Sequence, residues 1–285
     1  MLTLDLLEQV WPVMALILSG GMLIPCGLRF LRDHGITDTN YHGISIPTAG
    51  GLMIWLLLLI HYAASSLAGF EQPDTLWVLS LTMVCFAGFL DDVKGDRRTK
   101  GIRGHWMAWK EQRRITTGFL KAAAAGIAGL LMLYGQGSFW LLPFQLLVVL
   151  LATNTVNLLD VRAGRAIKFF FLTSGMMGWH VFFFASDAAG SGVWLGQGML
   201  PVFIGAFLLA PYDLKGRVML GDTGANMLGF ALGIGIVKLM PELFQAAVLT
   251  CLIALHALTW RRSLSAMIEA NRLLRWLDNA GRRRV

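Results

Sequence analysis

Asp91 and Asp92 stand side by side at the end of the apolar run Thr75–Leu90. Two ionised carboxylates in series at the edge of hydrocarbon repel each other and are costly to desolvate. A divalent cation or a phosphate-bearing cofactor would remove that cost. Polar groups of the same kind recur at the ends of other apolar runs. Asn154, Asn157 and Asp160 are spaced i, i+3 and i+6, which is one polar stripe on a helix. Helix–helix hydrogen bonding accounts for such a stripe. Oxygen ligands for a hard cation account for it too, since Mg²⁺ takes one or two protein oxygens and completes its shell with phosphate and water. Asp222 is flanked by Gly221 and Gly224 at a helix start, where either a plain N-cap or a ligand fits. Lys121 enters the run 117–135 and either snorkels to the interface or aims a point charge at a phosphate. Lys94 comes just after the acid pair. Pro47-Thr48-Ala49-Gly50-Gly51 opens another run. Its proline suits a first helical turn, and its paired glycines let a second backbone or a phosphate come close.

These groups need elements to hold them. The chain has 285 residues, of which 56% are hydrophobic and 14% charged, and this composition points to membrane helices. The apolar runs predict an all-α polytopic bundle of about nine spans: 10–31, 49–68, 75–90, 117–135, 139–158, 168–186, 197–211, 223–240 and 242–260. The runs are solidly apolar and do not alternate, which argues against a membrane barrel. The net charge of +7 raises the question of nucleic acid, but its placement answers otherwise. If 29–47, 91–116, 159–168, 212–222 and 261–285 share one side, that side holds 22 of the 24 lysines and arginines. The positive-inside rule makes it cytoplasmic and puts the amino terminus outside.

The opening segment has no basic leader region and no clear cleavage site, so it reads as a retained span. Cys26, Cys85 and Cys251 are isolated in apolar runs and read as packing residues. The division expected is a transmembrane domain over 1–262 and a basic tail over 263–285. In the tail, Leu264, Met267, Ile268, Leu274 and Leu277 form one apolar face with arginines beside it. That pattern suits a helix on the cytoplasmic surface.

With this topology Asp91, Asp92, Asp160 and Asp222 share one membrane face with Lys121 and the asparagine stripe. A site of that composition fits phosphoryl transfer, where positioning and charge neutralisation do most of the work.

The ordered set Pro-Thr-Ala-Gly-Gly, Gly-Phe-Leu-Asp-Asp-Val-Lys, an intraspan lysine, Asn-Thr-Val-Asn-Leu-Leu-Asp and Gly-Asp-Thr-Gly resembles the polyprenyl-phosphate N-acetylhexosamine-1-phosphate transferases, also called glycosyltransferase family 4. The resemblance runs from about residue 45 to residue 230. It implies that a UDP-activated amino sugar gives its sugar-1-phosphate to a membrane polyprenyl phosphate, releasing UMP, in cell-envelope glycan synthesis. It implies that Asp91 and Asp92 lie at the acceptor phosphate and metal, that Asn157 and Asp222 hold Mg²⁺ (or Mn²⁺), and that Lys121 contacts phosphate. Asp160 completes the expected catalytic set. Thr48, Gly50, Gly51, Lys94, Asn154, Arg162 and Arg165 are the expected substrate-binding residues. The expected partners are the lipid phosphate, the nucleotide-sugar donor and the bilayer, without nucleic acid. The sequence gives no clear oligomer signal, and a homodimer is compatible with it.

Three features depart from the family pattern. After Asp160 the chain reads Val161-Arg162-Ala163-Gly164-Arg165, so Ala163 stands where the family places an acid or amide near uracil. Arg162 and Arg165 could grip phosphates there instead. The histidine-rich loop after the ninth span is replaced by Arg261-Arg262-Ser263-Leu264-Ser265 and, further on, Asn271-Arg272-Leu273-Leu274-Arg275. No tenth span is seen, so the carboxyl terminus is expected on the cytoplasmic side. Two other readings compete with the enzyme. One is a lipid-phosphate-binding regulator or scaffold with the same fold and no turnover. The other is a transporter, which the absence of an inverted repeat and the one-sided placement of the acids disfavour.

Overall fold

A backbone in hydrocarbon must satisfy its own hydrogen bonds, so long apolar runs fold as helices. The computed structural model describes residues 2–69, 74–95, 116–135, 138–184, 192 and 194–282. The basic stretch 96–115 lies outside the described residues. In chain order the elements are α1 (Leu2–Asp33), strands β1 (Thr37–Thr39) and β2 (Ser45–Pro47), α2 (Gly51–Ala68), α3 (Thr75–Lys94), α4 (Thr117–Leu133), α5 (Leu142–Leu159) and α6 (Arg165–Phe184). A π-helical turn (Trp194–Met199) then leads into α7 (Leu200–Leu214), followed by α8 (Gly221–Leu239), α9 (Glu242–Arg261), α10 (Leu264–Ala270) and α11 (Arg272–Asn279).

Helices fall on all nine expected stretches. Among the described residues, seven are long and apolar enough to cross a membrane, and α4 is a shorter apolar helix. The chain is a multi-pass membrane protein. Trp179, Phe182 and Phe183 on α6 and Met14, Leu18 and Met22 on α1 are exposed, an apolar surface that suits lipid and not water.

Helix α8 is the axis of the bundle. Every residue from Thr223 to Ile236 is buried, as befits a helix apolar on all sides. It packs mainly on α5 and α3. Gly229 and Gly233 bring α5 onto it: a Cβ at Gly229 would lie 2.6 Å from Thr153 Cα, and one at Gly233 would lie 2.7 Å from Val149 Cα. Small residues four apart permit this close approach between membrane helices. Stepping from Gly229 to Gly233 steps back from Thr153 to Val149, so the two helices run antiparallel. The start of α8 therefore lies at the level of Asn157 and Asp160.

Three boundaries differ from the sequence expectation in ways that matter. Pro47 does not occupy a first helical turn. It ends β2, which pairs antiparallel with β1 (Thr37 opposite Pro47), and its carbonyl accepts the Met219 N–H at 2.8 Å. The chain then reverses through Ala49 at φ 58° before α2 begins at Gly51. Helix α3 runs on to Lys94 and so carries the acid pair on its last turns. Helix α7 continues past Pro211 to Leu214, which places Asp213 inside a helix.

Candidate active site

The site is assembled where α2, α3, α4, α5 and α8 converge. Three glycines allow the backbones to meet. A Cβ at Gly51 would lie 2.1 Å from Gly224 Cα, and one at Gly88 would lie 2.3 Å from the Asp222 carbonyl oxygen. Gly221, at φ 73°, leaves room for the Asp92 carboxylate, which a Cβ there would meet at 2.5 Å. Gly50 and Gly51 donate their N–H groups to the carbonyls of Met219 and Leu220, each at 3.0 Å. Of the two expectations for this glycine pair, the approach of a backbone is the one realised; their N–H groups are spent within the protein. Thr48 is buried, and its N–H goes to the Ile36 carbonyl at 3.1 Å. That removes these three backbone donors from a phosphate cradle.

The adjacent aspartates do different work. Asp92 turns to the start of α8. Its Oδ1 accepts the Asp222 N–H at 2.9 Å, and its Oδ2 accepts the Thr223 N–H at 3.0 Å and the Thr223 hydroxyl at 2.5 Å. The first N–H groups of a helix have no partner within it, and no side chain at the N-cap of α8 supplies one. A carboxylate from another helix does so here, and its charge matches the positive end of the helix dipole. Asp222 is thus capped by Asp92 and is not itself the N-cap.

Asp91 and Asp222 close on one cation. Lys121 Nζ donates to Asp91 Oδ2 at 2.5 Å and to Asp222 Oδ2 at 2.6 Å. All three side chains are largely enclosed, with 16%, 26% and 15% exposure for Asp91, Asp222 and Lys121. Thr117, on the first turn of α4, also lies within hydrogen-bonding reach of Asp91. Lys121 does not snorkel away; the carboxylates of α3 and α8 hold it. Lys94 is exposed at the end of α3.

Helix α5 supplies the other side. Asp160 caps its end and accepts a backbone hydrogen bond from Gly221. Burial pushes the Asp160 carboxyl well above the usual carboxylate range, and the charges of Asp213, Asp222 and Asp92 push the same way. Asn157 lies one turn earlier on the same helix. Asn154, two turns from the end, is engaged elsewhere: its amide Nδ2 lies 2.8 Å from His256 Nε2 on α9. His256 Nδ1 lies 2.8 Å from the Leu252 carbonyl oxygen of its own helix. The helix–helix reading of the stripe holds for Asn154.

The two arginines after Asp160 do not reach toward Lys121. Arg165 is 4% exposed and paired with Asp278 of the tail at 2.7 and 2.8 Å. That pairing corrects its expected role as a free phosphate grip, because both its charge and its fork are occupied. Arg162 pairs with Glu269 and lies over the Tyr41 ring, 5.9 Å from its centroid. Asp213 was not anticipated. It is buried and accepts the Gly164 N–H at 2.8 Å, and it lines a small cleft with Asn40, Tyr41, Asp160 and Ala163. The signal was present, since Asp213 is one more acid at the end of an apolar run. Ending that run at Pro211 hid it. His256 gave a similar signal as a polar group within α9.

Among the described residues, no three His, Cys, Asp or Glu side chains are grouped so as to cage a metal. Mg²⁺ that takes one or two protein oxygens and fills the rest of its shell with phosphate and water needs no such cage. Carboxylate oxygens such as those of Asp222 and Asp160, with Asn157 one turn before Asp160, are of the kind a hard cation takes, and the ammonium held between Asp91 and Asp222 shows that the place favours positive charge.

Fold and site together define a polytopic membrane protein with an acidic centre closed on one lysine. Residues 75–240 match the family model described as glycosyl transferase family 4. Among its relatives is the phospho-N-acetylmuramoyl-pentapeptide-transferase of Borreliella afzelii (strain PKo), 24% identical over 245 residues that cover 75% of this chain and 67% of that protein. The chain belongs to glycosyl transferase family 4 and is a phosphosugar transferase. The matched stretch runs from α3 to α8 and so contains the acid pair, Lys121, the asparagine stripe and Asp222. Pro47–Gly51 and the tail lie outside it.

Proposed function

We propose that the protein transfers a sugar-1-phosphate, of the N-acetylhexosamine type, from a UDP-sugar to a polyprenyl phosphate, with Mg²⁺ (or Mn²⁺) bound. The products are a lipid-diphosphate-linked sugar and UMP, for cell-envelope glycan synthesis. The observation that carries this reading is the lysine held between two carboxylates from different helices, beside the end of α5 that bears Asn157 and Asp160.

An oxygen of the lipid phosphate attacks the sugar-bearing phosphorus of the donor, and the bond from that phosphorus to the UMP oxygen breaks. The attacking group needs little help from a base, because a phosphate monoester with a second pKa near ~6 is already mostly dianionic at neutral pH. What it needs is relief from repulsion by a second anion. Lys121 supplies a positive charge fixed in place before substrate arrives, which costs no reorganisation during reaction. Asp91 and Asp222 aim that ammonium. Asp92 fixes the first turn of α8 and so the position of Asp222. Asn157 and Asp222 would hold the metal, which would supply positive charge against the phosphates. The face bearing these groups is the cytoplasmic one, by the placement of the basic residues.

The test is turnover in lipid: purified protein with Mg²⁺, undecaprenyl phosphate and a panel of UDP-sugars, following UMP and lipid-linked sugar. The reading expects product with at least one donor. Tight binding of the lipid phosphate with no UMP from any nucleotide sugar would favour the non-catalytic regulator. The departure at Ala163 and the occupation of Arg165 by the tail are what keep that second reading in play.

A further inference from the structure

The loop Val161–Gly164 has the cleft on one flank and the tail on another. Val161 and Ala163 line the cleft together with Asp160 and Asp213, and none of the described tail residues does. From the tail, Arg282 Nε donates to the Ala163 carbonyl at 2.7 Å. Asp278 accepts from Arg165 through both oxygens, at 2.7 and 2.8 Å, and from Arg282 at 2.6 and 3.0 Å. Arg165 also donates to Ser265 Oγ at 2.7 Å. Lys168 donates to the carbonyls of Leu277, Asp278 and Ala280 at 2.8, 2.6 and 3.2 Å, closing the end of α11. Arg162 pairs with Glu269 of α10. Asp213 accepts the Gly164 N–H of the same loop at 2.8 Å.

One carboxylate thus binds two arginines in a place closed to water: Arg165, Asp278 and Arg282 keep 3%, 5% and 8% side-chain exposure. A buried ion pair adds little net stability over an apolar replacement, yet breaking it leaves an uncompensated buried charge, so the partners hold one another in place. What this one fixes is the loop that carries Asp160 into the site.

We propose that Asp278 is a positioning residue for the donor side of the site: through Arg165 and Arg282 it holds the segment 160–165, so that the tail 263–282 is a working part of the site. The assignment to the donor rests on the proposed function and on the acceptor role that the resemblance gives Asp91, which lies on α3; among the described residues none of the tail contacts above reaches α3. The placement of the loop itself stands without that reading. Partners one step removed from a working group commonly tune it by about ten- to a hundredfold.

The experiment compares the full chain in lipid nanodiscs with Asp278→Asn, Asp278→Glu and Arg282→Gln. Hydrogen exchange of the 160–165 amides and the KM values for UDP-sugar and for undecaprenyl phosphate are measured. Asp278→Asn should speed exchange in 160–165 and raise the donor KM by about tenfold or more. The acceptor KM should stay within about twofold. Asp278→Glu should recover much of both effects. Arg282→Gln, which leaves the Arg165–Asp278 pair intact, should show the same pattern more weakly, and it carries the test if Asp278→Asn does not fold. Unchanged exchange in folded variants would overturn the proposal. So would donor and acceptor KM rising together, or a loss of kcat alone. If wild type turns over no nucleotide sugar, the proposed function fails while exchange still decides whether the tail places the loop.

Discussion

Asp92 accepts the backbone N–H of Asp222 at 2.9 Å. Its immediate neighbour, Asp91, instead takes the ammonium of Lys121 at 2.5 Å. Two residues of one type, adjacent in sequence, therefore hold a helix start and a lysine ammonium respectively. Their substitutions should separate. Asp92→Asn puts an amide against three donors and leaves at least one buried group unpaired, at a cost of about 1–3 kcal/mol. Its thermal midpoint in detergent should fall. Asp91→Asn, which leaves Lys121 its second carboxylate in Asp222, should lower the midpoint less and lose turnover. The opposite pattern in thermal unfolding and activity would refute the division of labour.

Gly88 and Gly51 let α3 and α2 touch the first turn of α8. An alanine at Gly88 would set its Cβ 2.3 Å from the Asp222 carbonyl oxygen, which is backbone and cannot swing away. Gly88→Ala should lower folded yield or, where the chain folds, displace Asp222 and abolish turnover. An alanine at Gly126, which meets nothing within 4 Å, should do neither. Size-exclusion profiles and turnover of the two variants check this.

Asp160 is held well above the usual carboxylate range, first by burial and then by Asp213, Asp222 and Asp92. An acid whose folded pKa is raised costs stability when it ionises, and that cost grows as pH rises above the unfolded value near ~3.9. Asp160→Asn keeps an acceptor for Gly221 and removes the charge. It should raise the thermal midpoint at neutral pH by about 1–4 °C while lowering turnover. A drop in the midpoint would contradict this electrostatic reading.

Asp278 shows the opposite sign. Burial alone would raise its carboxyl, but the hydrogen bond from Arg165 and the charge of Arg282 outweigh it and hold the group below the ordinary range. Its contribution is complete above the unfolded value of about 3.9 and disappears as pH falls through the lower folded value. The tail should therefore stay docked at pH 5 and detach only below about pH 4. Hydrogen exchange of 264–280 across this range tracks the detachment. Release with a midpoint near pH 6 would exclude Asp278 as the group responsible.

Much of this architecture is legible in the residue order, because a span of hydrocarbon imposes a length and a composition that local sequence displays. The helices containing Trp77, Val148 and Leu252 needed no tertiary information. Nor did the choice of Asp91, Asp222 and Lys121 as groups that could not stay unpartnered in an apolar setting. Partnership itself was not legible. Nothing local distinguishes Asp91 from Asp92; the difference is made by the start of α8, 130 residues away in the chain. Arg165 read as a free cation because its partner, Asp278, is 113 residues distant. The short β1–β2 hairpin was missed for another reason. Its three-residue strands are too brief to show a period, and Asn40 makes the turn by accepting from His42 and Ile44 at 2.9 and 3.0 Å.

We propose that the Asp91–Lys121–Asp222 cluster performs a metal-assisted phosphosugar transfer. The most direct test is one assay on three proteins in nanodiscs, wild type, Asp222→Asn and Lys121→Met, with undecaprenyl phosphate, the active UDP-sugar and Mg²⁺ added or chelated. Wild type should release UMP and form lipid-linked sugar in equal amounts, and should stop when Mg²⁺ is removed. Each folded variant should lose on the order of 10²–10³ in kcat. Full turnover by Asp222→Asn, or turnover by wild type that is indifferent to chelation, would rule out metal-assisted transfer at this cluster.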